Sequence, residues 1–467
     1  MDKKPNIILF LTDDHGQWAN GAYGNQDVRT PTLDYLAANG ALMENAYTPT
    51  PVCSPGRACL LTGRISSQHG LHDYLASGAS PEIANHPWMG EEVLLSQILH
   101  AHGYKTGLSG KWHLGGENYP QADFDYTFTY GLGYPIYHQG DRTFYENGKP
   151  EEKTGFMTEL LTDKAIEFIR NEAPQEQLFF LTVGYIGTHS YWSDHPERLV
   201  EYYRKQDLDT SFQDSIYPFG IQNLESTFDS REDPREALAQ YYAAVTHIDE
   251  NVGRILDEVQ ALGLEEDTLI IYTSDHGLNC GHHNIWGKGN GTLPLNLVEE
   301  SVRVPLFLHF PSVIMRPQRR VEFVDHTDLF QTILDFTGIE LDEKKRDERN
   351  YPGRSYHSRL VNDVPTGDWR GFQCCEYGDV RMIRDHRYKL VRRYPDGPNH
   401  LFDLEKDPRE TTDLFNETDL KPVVDRLTTQ LNAFYDKYAD AVKSGLNVKK
   451  LPRHNTSESW RDPRNLH

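Results

Sequence analysis

Short, almost uninterrupted apolar runs alternate with amphipathic segments through most of this chain, and several of the runs end in residues able to do chemistry. Ile7 to Leu11 is followed by a helical pattern near Thr32–Asn39, ended by Gly40. Val93, Leu94, Ile98 and Leu99 recur at helical spacing before Gly103, and Tyr104–Leu108 reads as the next strand. Leu160, Ile166 and Ile169 mark another helix, Leu178–Val183 a strand, roughly Pro234–Leu262 a long helix and Leu269–Thr273 a strand. Val304–His309 and a helix around Leu329–Phe336 complete the series. This alternation predicts an α/β sandwich with a largely parallel central sheet. In such sheets functional residues gather beyond the C-terminal ends of the strands. Those ends carry Asp13-Asp14, Lys111 and His113, His189, and Asp275-His276.

At 467 residues the chain exceeds the ~250–300 beyond which single cores stop growing, so two domains are expected. The α/β pattern fills residues 1–345. A linker is expected over 346–368, because Asp342–Arg354 is charged and holds Pro352-Gly353. Over 369–467 the pattern changes to short strands (Phe372–Tyr377, Val380–Ile383, Tyr388–Arg392, His400–Leu404), a helix at Val423–Tyr438 and a polar, loosely ordered tail. This predicts a smaller C-terminal α+β domain with an antiparallel sheet. The formal net charge of −23 argues against a nucleic-acid or anionic-membrane partner. It also means that any site for an anion must concentrate its cations locally. No apolar run approaches the ~20 residues of a membrane span. No apolar leader precedes the first strand, so a cytoplasmic location is expected as written, or a periplasmic or secreted one if a leader has been removed. The five cysteines, at 53, 59, 280, 374 and 375, are odd in number and match no zinc spacing, so no disulfide framework is expected.

The run Cys53-Ser54-Pro55-Gly56-Arg57-Ala58-Cys59-Leu60-Leu61-Thr62-Gly63-Arg64 holds the sharpest chemical signal. Pro55 suits the first turn of a helix, where a missing N–H costs nothing, and Gly63 closes it. Residue 53 then sits at a helix N-terminus, where the macrodipole favours developing negative charge, and Arg57 projects from the same face. The plain alternative is a buried cysteine beside a turn. Asp13-Asp14 and Asp275, each following a buried strand, could offer hard oxygen ligands to one divalent cation. Lys111 and His113, two residues apart in an extended chain, would point the same way, between flanking glycines.

The Cys53 run resembles the signature of the type I, formylglycine-dependent sulfatases of the alkaline phosphatase superfamily, a Cys-x-Pro-x-Arg core followed by Thr-Gly. Gly110-Lys111-Trp112-His113-Leu114-Gly115, Trp286-Gly287-Lys288-Gly289 and Leu401-Phe402-Asp403-Leu404-Glu405-Lys406-Asp407-Pro408 are similar to further elements of that family. The resemblance implies a sulfuric ester hydrolase with an alkaline-phosphatase-like fold, in which a formylglycine-generating maturation enzyme oxidises Cys53 to Cα-formylglycine. It assigns Asp13, Asp14, Asp275, His276 and the oxygen on residue 53 to the metal. Calcium is first by resemblance, and Mn²⁺ or Mg²⁺ is open because His276 adds a nitrogen donor. Arg57 would help hold the nucleophile, Lys111 and Lys288 would contact sulfuryl oxygens, His113 would act as a base and His189 as the acid on the leaving alcohol. The Pro-His-x-Pro context of that acid is absent here: Thr188-His189-Ser190-Tyr191-Trp192 stands in its place, and His195, before Pro196, competes. His282 and His283 are expected to line the site. Tyr191–Asp233 is expected to form part of the pocket wall, where Trp192, Tyr202, Tyr203 and Phe212 either stack on a sugar or aryl group or pack a local helix. The substrate would be a small-molecule or oligosaccharide sulfate ester, carbohydrate or aryl. The alternatives are a formylglycine-dependent phosphonate or phosphate ester hydrolase, and a catalytically silent binding protein that keeps the fold.

Overall fold

The computed structural model describes residues 4–76, 83, 86–116, 123–130, 139–208, 219–222, 232–315, 317–362 and 368–462. Ten strands form the main sheet: β1 (Asn6–Thr12), β2 (Ala41–Tyr47), β3 (Lys105–Gly110), β4 (Tyr126–Thr129), β5 (Gln139–Glu146), β6 (Lys149–Phe156), β7 (Phe179–Gly184), β8 (Thr268–Ser274), β9 (Leu306–His309) and β10 (Gln318–Asp325). Their spatial order is β10-β2-β9-β8-β1-β7-β3-β4-β5-β6. The centre, β8-β1-β7-β3-β4, is parallel throughout, whereas β9 runs antiparallel to both neighbours and β5–β6 is an antiparallel hairpin.

The apolar run of β1 has no polar alternation because both faces are covered. Ile7, Leu9 and Leu11 point into a layer with α2 (Cys53–Thr62), α3 (Leu95–Ala101) and α7 (His326–Thr337). Ile8 and Phe10 point the other way, toward α1 (Pro31–Asn39), α4 (Met157–Glu172) and α6 (Pro234–Ala261). Helix α5 (Glu197–Arg204) packs on α6.

The second sheet comprises β11 (Gln373–Tyr377), β12 (Val380–Arg384), β13 (Tyr388–Arg393) and β14 (His400–Asp403), all antiparallel. One face packs on α8 (Lys421–Tyr438) through Ile383, Leu390, Leu427 and Leu431. The other packs Cys375, Tyr377 and Met382 against Tyr47, Val52 and Val302. The cysteines are free and buried, as the absence of a disulfide pattern implied.

Three features depart from the sequence-based expectations. Strands β2, β4, β5, β6 and β10 were not foreseen. The charged stretch 342–354 contains a short helix, Glu343–Arg349. The C-terminal tail is not loose: His454, Asn455, Glu458 and Trp460 are buried.

Candidate active site

The registered ends of the four central parallel strands build the site. Thr12 pairs with Ser274 where β1 and β8 end, and the Asp275 N–H donates to the Thr12 carbonyl at 3.1 Å, so the two acidic pairs emerge side by side. Asp14 adopts φ +62, and its carbonyl accepts from the Tyr241 hydroxyl of α6 at 3.0 Å. Beyond β7, the Thr188 hydroxyl donates to the Asp13 carbonyl and His189 follows. Beyond β3, the Lys111 N–H donates to the Gly184 carbonyl at 2.9 Å. Lys111 and His113 do not share a direction through extended spacing: His113 has φ +64, and it is one of the groups that hold the Cys53 thiol low. Cys53 is the first residue of α2, buried at the helix N-terminus.

The Cys53 thiol stands among these side chains. Its Sγ lies 2.9 Å from Lys288 Nζ and 3.4 Å from His276 Nε2. Lys288 Nζ also donates to Asp14 Oδ1 at 2.8 Å, and Lys111 Nζ pairs with Asp13 Oδ2. Arg57 Nε donates to Asp275 Oδ2 at 2.8 Å and its Nη1 to the Lys111 carbonyl at 2.9 Å. His276 Nε2 stands 3.3 Å from both Asp14 Oδ1 and Asp275 Oδ1, and 3.7 Å from Asp13 Oδ1. Ligand atoms of Asp13, Asp14, Cys53 and His189 also lie within 4.8 Å of one another.

Burial opposes ionisation of the Cys53 thiol, but Lys111, Lys288 and His276 outweigh it and hold the thiol well below its ordinary range. Burial, then the neighbouring Asp13 charge, pushes Asp275 up to about 7. Against its burial, His276 is raised to about 9, chiefly by Asp275. Burial and Lys288 lower His189, yet Asp14 and Asp13 leave it above its usual value.

The donor set fits a divalent cation. Asp13 Oδ1 and Asp275 Oδ1 are buried and accept no hydrogen bond, which is costly for a carboxylate unless a cation faces it. His276 Nδ1 contacts the Gly277 carbonyl at 2.8 Å and must carry the proton there, so Nε2 is the nitrogen whose proton a bound cation would displace. Asp13, Asp14, Asp275 and His276 would hold the ion together with residue 53.

All ten positions singled out from the sequence converge here, and His189 rather than His195 is the histidine in the cluster. His282 lies against Trp18, with ring centroids 4.3 Å apart, and His283 pairs with Glu300 at 2.9 Å. Trp192 is buried against Tyr241 and Trp286, and Tyr203 packs on Tyr242 of α6, so these two pack a local helix. Tyr202 lies under Arg29, and Phe212 is outside the described residues. Sequence reasoning missed Ser54 and Leu75: Ser54 Oγ accepts the Leu75 N–H at 3.0 Å, and the Leu75 carbonyl lies 2.8 Å from His113 Nε2. No motif marks Leu75.

The sequence profile of the Sulfatase family matches residues 5–339. The chain belongs to the sulfatase family. It is therefore a hydrolase acting on sulfuric ester bonds, and membership implies a divalent metal and a formylglycine. A second profile, the C-terminal region of N-sulphoglucosamine sulphohydrolase, matches residues 295–437. Among similar proteins, this sulfatase is 26% identical to an N-acetylglucosamine-6-O-sulfatase of Bacteroides thetaiotaomicron, over 94% of this chain and 87% of the other. It is 28% identical to an ulvan-active sulfatase of Formosa agariphila, over 94% and 83%. Among solved structures, BT4656 in complex with its substrate D-glucosamine-2-N,6-O-disulfate shares the fold at TM-score 0.79 and 23% identity, over 94% of this chain and 99% of that one. The phosphonate monoester hydrolase of Agrobacterium radiobacter shares the fold at TM-score 0.73 and 20% identity, over 93% and 96%. Among the described residues no helix is long and apolar enough to cross a membrane.

Proposed function

We propose that this sulfatase removes sulfate from a saccharide sulfate ester, with Cys53 matured to formylglycine by a dedicated enzyme and Ca²⁺ as the bound ion. The observation that carries the reading is the position of residue 53: the buried first residue of α2, with Lys288 Nζ at 2.9 Å, His276 Nε2 at 3.4 Å, and two orphaned carboxylate oxygens in the same cluster. Saccharide esters are favoured because the relatives named above include a hexosamine sulfatase and a sulfatase active on ulvan. A bound divalent cation supplies Lewis-acid polarisation of the oxygen on residue 53. The rest belongs to the chain, from a catalytic unit over 1–345 with a smaller unit over 369–467.

Lys111 and Lys288 neutralise charge on the sulfuryl oxygens. One hydroxyl of the hydrated aldehyde gives its proton to solvent and attacks sulfur, the S–O bond to the alcohol breaks, and His189 gives that alcohol its proton. Sulfate is then bonded to residue 53. His113 takes the proton of the second hydroxyl, the carbon–oxygen bond to sulfate breaks, and the carbonyl re-forms. Only a geminal diol can end the cycle in this way, which is the chemical reason to oxidise the cysteine.

Mass analysis of the residue-53 peptide tests the modification, with a loss of about 18 Da expected for thiol to aldehyde. Side-by-side kinetics on sulfated hexosamines, aryl sulfates and an aryl phosphonate ester tests the substrate class. Preference for the phosphonate would overturn it in favour of the hydrolase whose fold this chain shares.

A further inference from the structure

The nitrogen of His113 that can serve as a base is selected by a carbonyl on a loop which the C-terminal tail holds down. His113 Nε2 lies 2.8 Å from the Leu75 carbonyl, which can only accept, so Nε2 carries the proton. Nδ1 is then the unprotonated nitrogen, the one able to take a proton. Leu75 belongs to the irregular segment 71–76, and its N–H is tied to Ser54 Oγ, next to Cys53. Without other support such a segment would drift, and the tautomer of His113 with it.

That support comes from more than 370 positions away in sequence. The Asn455 amide donates to the Tyr74 carbonyl at 2.9 Å, and the Tyr74 hydroxyl meets Ser457 Oγ at 2.6 Å. The His72 N–H donates to His454 Nε2 at 3.1 Å, and the Ala76 N–H reaches the His454 carbonyl at 3.4 Å. His454 is itself oriented: Glu458 Oε1 accepts from its Nδ1 at 2.8 Å, which leaves Nε2 as the acceptor the loop needs, and its ring stacks on Trp88 at 4.8 Å. Tyr377 of β11 adds a hydrogen bond to Asp73 at 2.6 Å. His454 and Asn455 are buried, and their bonds fall on residues 72, 74 and 76, beside Leu75.

We infer that Asn455, His454 and Ser457 are positioning residues for the second half of the reaction: they fix segment 71–76 so that Leu75 sets the tautomer and direction of His113. This rests on the reading of His113 as the base that expels sulfate from residue 53. The first half, carried by Lys111, Lys288 and His189, does not need the loop.

The test uses full-length, matured enzyme with 4-nitrophenyl sulfate, whose good leaving group makes the second half limiting. Asn455→Asp keeps the shape and the acceptor for the Ser457 N–H, 2.9 Å away, but cannot donate to Tyr74. Tyr74→Phe removes the link to Ser457 by a separate change. Each should lower kcat about tenfold or more, with kcat/KM for phenol release and metal content unchanged. Samples quenched during turnover should carry sulfate on residue 53. Wild-type kcat in both variants overturns the inference, as does an equal fall in kcat and kcat/KM without the adduct. His113→Ala run alongside separates the two readings. An adduct there but not in the tail variants overturns the tail's role alone, and no adduct in any variant overturns the base assignment with it.

Discussion

Gly110→Ala tests whether close backbone approach at a strand end, rather than the motif as such, places Lys111. Gly110 has φ +127, and a methyl group there would meet the Gly184 carbonyl of the neighbouring strand. Two costs add: a backbone conformation nearly confined to glycine, about 1–3 kcal/mol, and overpacking against backbone that cannot rotate away, about 1–3 kcal/mol. A loss of about 2–6 kcal/mol is therefore expected, seen as a lower urea midpoint. The strands can relieve the clash only by separating at the point where the Lys111 N–H meets Gly184 O at 2.9 Å. A displacement of about 1 Å there should cost about 10²-fold in kcat/KM. Gly103→Ala is the matched control: φ is +89, but nothing lies within 4 Å of the new methyl. It should carry the backbone cost alone, about 1–3 kcal/mol, with kcat/KM intact. Wild-type kcat/KM in Gly110→Ala, or equal losses in both variants, would refute the reasoning.

Cys53→Ser, made in a host that oxidises only cysteine, should fold normally yet lose turnover by several orders of magnitude, because a serine sulfate lacks the second hydroxyl; near-wild-type turnover would remove the mechanism. Prolonged chelation should abolish activity and a divalent ion should restore it, while Asp275→Asn should bind less metal by elemental analysis, since it removes one carboxylate and the Arg57 ion pair at 2.8 Å. Stability should fall with acid. Burial lowers His72 to about 3, His282 to about 4 and, with Arg393, His400 to about 3, from 6.5. The unfolded chain takes up these protons first, so this stabilisation is complete above pH 6.5 and is lost as pH falls toward 4–3. Three protons correspond to a slope on the order of 4 kcal/mol per pH unit. Urea midpoints that stay level from pH 7 to 5 would show that these rings are not buried neutral.

What could be read from the chain was what is local or repeats along it. Unbroken apolar runs marked β1, β7 and β8 because strands covered on both faces need no alternation. The catalytic groups lay where those runs stop, and that boundary is a sequence feature. Strands β5 and β6 are different: their burial alternates, their composition is charged, and the signal that joins them is a two-residue turn, Asn147-Gly148, with φ +49 and +78. That dipeptide is a strong hairpin cue. For β2, half of the run Ala41–Tyr47 is small or polar, so its burial follows from neighbours at residues 306–325 rather than from itself. The tail reads as polar because its buried groups are His, Asn, Glu and Ser. The partners of His454 and Asn455 are backbone atoms of His72 and Tyr74, which no composition or period can reveal.

The acidic composition once seemed at odds with an anionic substrate, and the buried cluster resolves the conflict by counting. Arg57, Lys111 and Lys288 bring three positive charges, and their partners Asp275, Asp13 and Asp14 bring three negative ones. Those six groups cancel, so the chain's net charge of −23 says nothing about the site itself. A divalent ion added to a balanced set leaves it two charges positive, in a buried setting where attraction is screened far less than at the surface. The carboxylates that make the protein acidic elsewhere are, at the strand ends, what allows three cations to be buried within reach of one nucleophile. Replacing any one of the three cations by a neutral residue then exposes a carboxylate to the incoming ester and weakens binding and turnover together, whereas a surface lysine of equal charge has no such effect.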